Sequence, residues 1–161
     1  MTMSAPSTQL LGEIGLDPSW SHTVEVPSHD EKTHRWHYLD RPGFDDSAPT
    51  VLCLHGNPTW SFYYRNLIRA LAPTTRCIAP DHIGMGLSDK PESYDYTLAR
   101  RIADIEALVL SLGLKRVHLV VHDWGGAIGF GFASRRPEWI GKIVILNTAA
   151  FVSDKIPWRI S

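Results

Sequence analysis

Val117-His-Leu-Val-Val121, followed at once by His122-Asp123-Trp124-Gly125-Gly126, is the stretch whose reading decides the fold. A short, nearly continuous apolar run suits a strand buried on both faces of a parallel sheet. A helix is expected directly after it, from Gly125 to about Ser134. Working outward, Thr50-Val-Leu-Cys-Leu54 is a run of the same kind and stops at His55-Gly56-Asn57-Pro58. Arg76-Cys-Ile-Ala79 is a third, ending in the loop Pro80-Asp-His-Ile-Gly-Met-Gly86, and Ile143-Val-Ile-Leu146 is a fourth. Helical spacing of apolar residues runs through residues 60–71. It is clearest over residues 97–112, where Leu98, Ile102, Ile105, Leu108 and Leu112 share a face. Thr97 suits the N-cap of that helix and Gly113 its stop. Residues 22–26 and 34–39 alternate polar with apolar, as half-buried strands do. Strands alternating with helices at these intervals imply right-handed crossovers and an α/β, doubly wound, mainly parallel sheet.

Composition bounds the function. The chain has 161 residues, 43% hydrophobic and 20% charged, with a formal net charge of -1. That balance suits one domain with a real core and gives no basic surface for nucleic acid. Its apolar runs are too short to span a membrane, and the polar N-terminus does not read as a secretory signal. A cytoplasmic location follows. Cys53 and Cys77 sit inside apolar runs and read as buried, reduced thiols. No metal constellation is expected: His34 and His37 lie on a strand, where their spacing turns the rings to opposite faces. Gly84 and Gly86 lack the third glycine of a dinucleotide fingerprint, so no cofactor is called for.

In parallel sheets, sites form beyond the carboxyl ends of the strands. Asp123 lies at such an end, between a buried strand and a helix, which is the nucleophile-elbow arrangement with Asp in the place of Ser. The tight turn needs small residues, and Gly125 and Gly126 meet that need, although Val121 fills the first small position. The helix start favours an anion at the turn. An aspartate, with an ordinary pKa of about 3.9, is a carboxylate at neutral pH and attacks without a base. Capping of the helix is the plain structural role for an Asp here, but the flanking Trp-Gly-Gly and the loop at residues 55–58 favour the nucleophile. Asn57 adds an amide donor and Trp124 an indole N–H, and two neutral donors suit a leaving anion. His122 reads as a packing residue and Arg65 as a solvated one. A serine esterase is excluded by the lack of Gly-x-Ser-x-Gly, and Ser134 sits toward the far end of a helix.

Together His55-Gly-Asn-Pro-Thr59, Pro80-Asp-His-Ile-Gly-Met-Gly-Leu-Ser-Asp-Lys-Pro91 and His122-Asp-Trp-Gly-Gly126 resemble the haloalkane dehalogenase branch of the α/β-hydrolases. The resemblance covers roughly residues 30–151. It implies Asp123 as nucleophile, Asn57 and Trp124 as the halide-stabilising pair and their backbone N–H groups in the oxyanion hole. His55, Gly56, Pro58, Gly125 and Gly126 support the motifs. Residues 1–21, which mix Pro, Ser and Gly, read as an irregular arm; residues 22–151 then form the N-terminal part of the core, and 152–161 the start of a cap region. The family places a histidine base late in the chain, and all eight histidines here lie too early. The chain then reads as truncated before the cap domain and last strands, and by itself lacks the base for turnover. Asn147 stands where some members carry a supporting Glu.

Trp60-Ser-Phe-Tyr-Tyr-Arg65 with Asp81-His82-Ile83 is also similar to the β-lactone decarboxylases of long-chain olefin synthesis. These use the same Asp and donors on a strained lactone. The expected reaction is displacement of a leaving group from a small or medium apolar substrate through an alkyl-enzyme ester, giving alcohol and halide from a haloalkane. The alternatives are a β-lactone decarboxylase, an epoxide hydrolase, against which Asn57 argues, or an inactive fragment.

Overall fold

The computed structural model describes residues 8–28, 32–43, 49–71 and 74–149. In chain order the elements are α1 (Thr8–Glu13), β1 (Ser21–Pro27), β2 (Thr33–Arg41), β3 (Thr50–Leu54), α2 (Arg65–Leu71), β4 (Cys77–Pro80), α3 (Leu98–Ser111), β5 (Val117–His122), α4 (Trp124–Arg135) and β6 (Ile140–Leu146). The six strands form one sheet in the order β1-β2-β4-β3-β5-β6. β4, β3, β5 and β6 are parallel neighbours, and β1 and β2 add an antiparallel hairpin at one edge.

Alternation along the central strands explains the double winding. On β3, Leu52 and Leu54 point to one layer, where they meet Ile105 and Leu108 of α3 and Ile128 and Phe132 of α4. Val51 and Cys53 point to the other, against Ile68 of α2. Every residue of β3 is buried, as a strand covered on both faces must be. The N-cap of α3 is Thr97, whose hydroxyl accepts from the Arg100 N–H, as its position predicts.

Three expectations change. The arm at residues 1–21 is not irregular throughout: α1 and a short 3-10 turn at Pro18–Trp20 order it. Leu11 and Leu16 drive this by entering the core beside Leu39 and Ile68. The helix expected from residue 60 begins as a 3-10 turn, Ser61–Tyr64, and becomes α-helical only at Arg65. There the Ser61 N–H is committed to the Asp81 carboxylate at 2.7 Å. β6 starts at Ile140, earlier than its apolar run suggests, and pairs with β5 at the sheet's other edge. Val144 and Ile145 are 50% and 55% exposed on it. The expected start of a cap at residues 152–161 lies outside the described residues. No helix among the described residues is long and apolar enough to cross a membrane.

Candidate active site at the carboxyl edge of the sheet

Asp123 occupies the single residue between β5 and α4, with φ 52° and ψ -128°. A non-glycine side chain in that region costs about 1–3 kcal/mol and is held only where its surroundings over-determine it. Here they do. The Asp123 carbonyl accepts from the Gly126 N–H at 2.8 Å and from the Thr148 hydroxyl at 2.6 Å. A Cβ on Gly125 would run into the Leu54 carbonyl, and one on Gly126 into the Thr148 side chain. Both glycines are therefore required by close approach, as the motif suggests. Val121 at the first small position is accommodated by Gly129, where a Cβ would lie 2.7 Å from the Val121 side chain.

The carboxylate of Asp123 is turned toward the loop after β3. Its Oδ1 accepts the Asn57 N–H at 2.8 Å, and the Trp124 backbone N–H also donates to the carboxylate. Gly56 leaves room for this approach, since a Cβ there would overlap the Asp123 side chain. Partial burial pushes the Asp123 carboxyl up, but the two N–H donors and the neighbouring His122 outweigh it and hold it below the usual value of 3.8. The group is ionised throughout the neutral range and carries spare lone pairs. Asn57 and Trp124, the residues that bond to Asp123 or follow it, both line a cavity of about 270 Å³ of which Asp123 itself is not a lining residue, and Trp124 is 54% exposed. Pro58 follows a cis peptide bond from Asn57 and is exposed.

His55 is fully buried and neutral in role: burial lowers its pKa most, and its Nδ1 donates to the Gly56 carbonyl at 2.7 Å. Its Nε2 accepts the His82 N–H at 3.1 Å, and the His82 ring returns a bond to the His55 carbonyl at 3.1 Å. The two imidazoles thus pin the β3 and β4 loops to each other. His122 stacks on Tyr63 with ring centroids 4.5 Å apart, in keeping with packing. Arg65 departs from the solvated reading: it lies 3.9 Å over the Phe62 ring and donates to the Phe62 carbonyl at 3.1 Å, bracing the loop.

Sequence reasoning missed Asp81 as the anchor of this edge. Its Oδ1 accepts the Ser61 N–H, and its Oδ2 accepts the Leu87 N–H and His37 Nδ1, both at 2.8 Å. Burial pushes its carboxyl up, but His37 and the backbone donors bring it below 3.8. Gly86, at φ 50°, is needed because a Cβ would meet this carboxylate. The motif around residues 80–86 marked a loop, but its partner His37 is 44 residues away. Among the described residues no group of His, Cys, Asp or Glu could hold a metal ion. Cys53 and Cys77 are free and buried.

A model of the alpha/beta hydrolase fold family matches residues 49–160, and the chain belongs to that family. It is 56% identical over 121 residues to a cis-3-alkyl-4-alkyloxetan-2-one decarboxylase of Shewanella oneidensis, covering 73% of this chain and 37% of the relative. It is 39% identical over 132 residues to a haloalkane dehalogenase of Mycolicibacterium paratuberculosis, covering 81% and 43%. Among solved structures, a haloalkane dehalogenase from Bradyrhizobium elkani superimposes with a TM-score of 0.71 at 35% identity, over 80% of this chain and 41% of that one. The chain spans about two fifths of the length of the curated relatives it matches.

Proposed function

From its place in the α/β-hydrolase fold family, we propose that this chain carries the aspartate nucleophile and anion-stabilising donors of an oxetan-2-one decarboxylase. The observation that carries the nucleophile is Asp123 itself, held at positive φ with its carboxylate on the Asn57 N–H. The choice of a lactone over a haloalkane is supported by the higher identity to the oxetan-2-one decarboxylase, 56% against 39% over comparable spans. It favours the β-lactone alternative named from the sequence over the haloalkane dehalogenase, which stands as the second reading.

The chemistry follows from the carboxylate. Asp123 attacks the ring carbon that bears the ring oxygen, forming an ester bond as that carbon–oxygen bond breaks. The ring oxygen leaves with the electron pair as a carboxylate, and neutral donors at Asn57 and Trp124 stabilise the developing charge. Loss of carbon dioxide then releases an electron pair that forms the alkene. The ester bond breaks in the same step and returns its pair to Asp123. No proton changes hands, and the products are an alkene and carbon dioxide.

A haloalkane dehalogenase is the second reading, favoured by the Asn57 and Trp124 donors beside one cavity. Incubation of the protein with a cis-3,4-dialkyl-oxetan-2-one, followed by assay of carbon dioxide and alkene, tests the first. Carbon dioxide release that vanishes in Asp123→Asn is the expected result. Halide release from a bromoalkane, with no carbon dioxide from the lactone, would move the assignment to the dehalogenase.

A further inference from the structure

One wall of the cavity beside Asp123 carries a charge that neither a haloalkane nor an intact lactone uses. Arg101, in the first turns of α3, lines that cavity with Asn57 and Trp124. Its Nη1 donates to the Ile83 carbonyl at 3.2 Å, and its guanidinium lies 5.5 Å from the centre of the Tyr96 ring. A guanidinium offers five N–H donors in a fixed fork, so most of this one remains to be spent. Arg100, the residue before it, is instead ion-paired to Asp104 at 3.1 Å. Among the described residues lining the cavity there is no carboxylate, and Asp123, which is not a lining residue, loses its charge once it carries the ester. The two imidazoles in its wall carry no competing positive charge: burial lowers the pKa of both His55 and His82, and Arg101 lowers them further.

We infer that Arg101 makes this cavity a carboxylate subsite, selecting substrates whose ring opening creates a carboxylate next to the Asp123 ester. The inference rests on the lactone reading above. A halide is a single spherical ion, for which the neutral donors of Asn57 and Trp124 suffice. A carboxylate is planar with two acceptor oxygens, the partner that a guanidinium fork matches in two parallel bonds. The surrounding wall is otherwise uncharged, with Met85, Leu98 and Ile128 in it, so an alkyl chain attached to that carboxylate finds apolar contact beside the charge.

The test compares binding of decanoate with that of the uncharged, similarly shaped decanamide, by calorimetry on the wild type and on Arg101→Gln and Arg101→Lys. The wild type is expected to prefer decanoate by about tenfold or more, the margin of a charge-assisted over a neutral hydrogen bond. Arg101→Gln loses that preference, and Arg101→Lys, which keeps the charge without the fork, keeps only part of it. Equal binding of the two ligands by the folded wild type overturns the inference. So does a preference that survives Arg101→Gln, whose folding is checked by its unfolding midpoint. Alkylation of Asp123 in the wild type by a bromoalkane, followed by mass spectrometry, is measured alongside. Absent alkylation with an Arg101-dependent decanoate preference sinks the nucleophile and leaves the subsite standing. Alkylation without that preference does the reverse.

Discussion

Two aspartates stand at the carboxyl ends of neighbouring parallel strands, Asp81 after β4 and Asp123 after β5, and the fold treats them in opposite ways. Asp81 is fully buried, with its lone pairs distributed among Ser61, Leu87 and His37. Asp123 sits on strained backbone, half-buried, with two backbone donors and open acceptor capacity beside a cavity. Both carboxyls are held below 3.8. A lowered pKa therefore does not distinguish the carboxylate proposed as nucleophile from a structural one. What distinguishes them is whether the acceptor positions are already spent and whether a substrate can reach them.

The sharpest way to break this contrast is to neutralise each aspartate. Asp123→Asn is expected to abolish both lactone turnover and alkylation by a bromoalkane, because a neutral amide is not a nucleophile, while the unfolding midpoint stays near that of the wild type. Residual alkylation at residue 123 would end the assignment. Asp81→Ala is expected to cost about 3–5 kcal/mol in urea unfolding, since it strands His37, the buried Ser61 N–H and the part-buried Leu87 N–H without an acceptor. The linked pH dependence has a definite sign. Because the folded pKa of Asp81 lies below 3.8, its stabilisation is complete above that value and is lost as pH falls through the folded pKa. The wild type therefore loses this increment on acidification below 3.8, and Asp81→Asn has little of it left to lose. Parallel acid titrations of the two would refute the role.

Two smaller effects sharpen the picture around Asp123. Asn57→Ala keeps the backbone N–H and removes only the amide, so turnover should fall on the order of 100-fold, the cost of one oxyanion-type donor. A change below twofold would mean that the amide faces away from the reaction. Thr148→Val removes the hydroxyl bond to the Asp123 carbonyl while keeping the shape. A loss of about 1 kcal/mol in stability is expected, read in denaturant midpoints with a variant that still alkylates.

The elbow was legible because its requirements are local. An apolar run, an Asp and two glycines in sequence leave few conformations in which the Asp can stand, and the structure adopts one of them. The helix over Leu98–Ser111 was legible for the same reason, as its stripe and N-cap lie within one segment. Arg65 and the arm were read less well. The burial of Leu11 and Leu16 depends on Leu39 and Ile68, and no local pattern reports such partners. Thr148 carries no motif at all, and becomes part of the elbow only because β6 pairs in parallel with β5.

The residue order alone determined the alternation of buried strands and helices, the position of the strand-to-helix turn and the carboxylate placed on it, because hydrophobic periodicity and turn sterics act over a few residues. Only the tertiary structure decided which aspartate is free and which is spent, and which arginine faces the cavity. Those outcomes depend on strand register and on contacts between residues tens of positions apart, such as Asp81 with His37 and Asn57 with Asp123. Hydrogen bonding at that separation is set when the sheet assembles, and no stretch of sequence holds it beforehand.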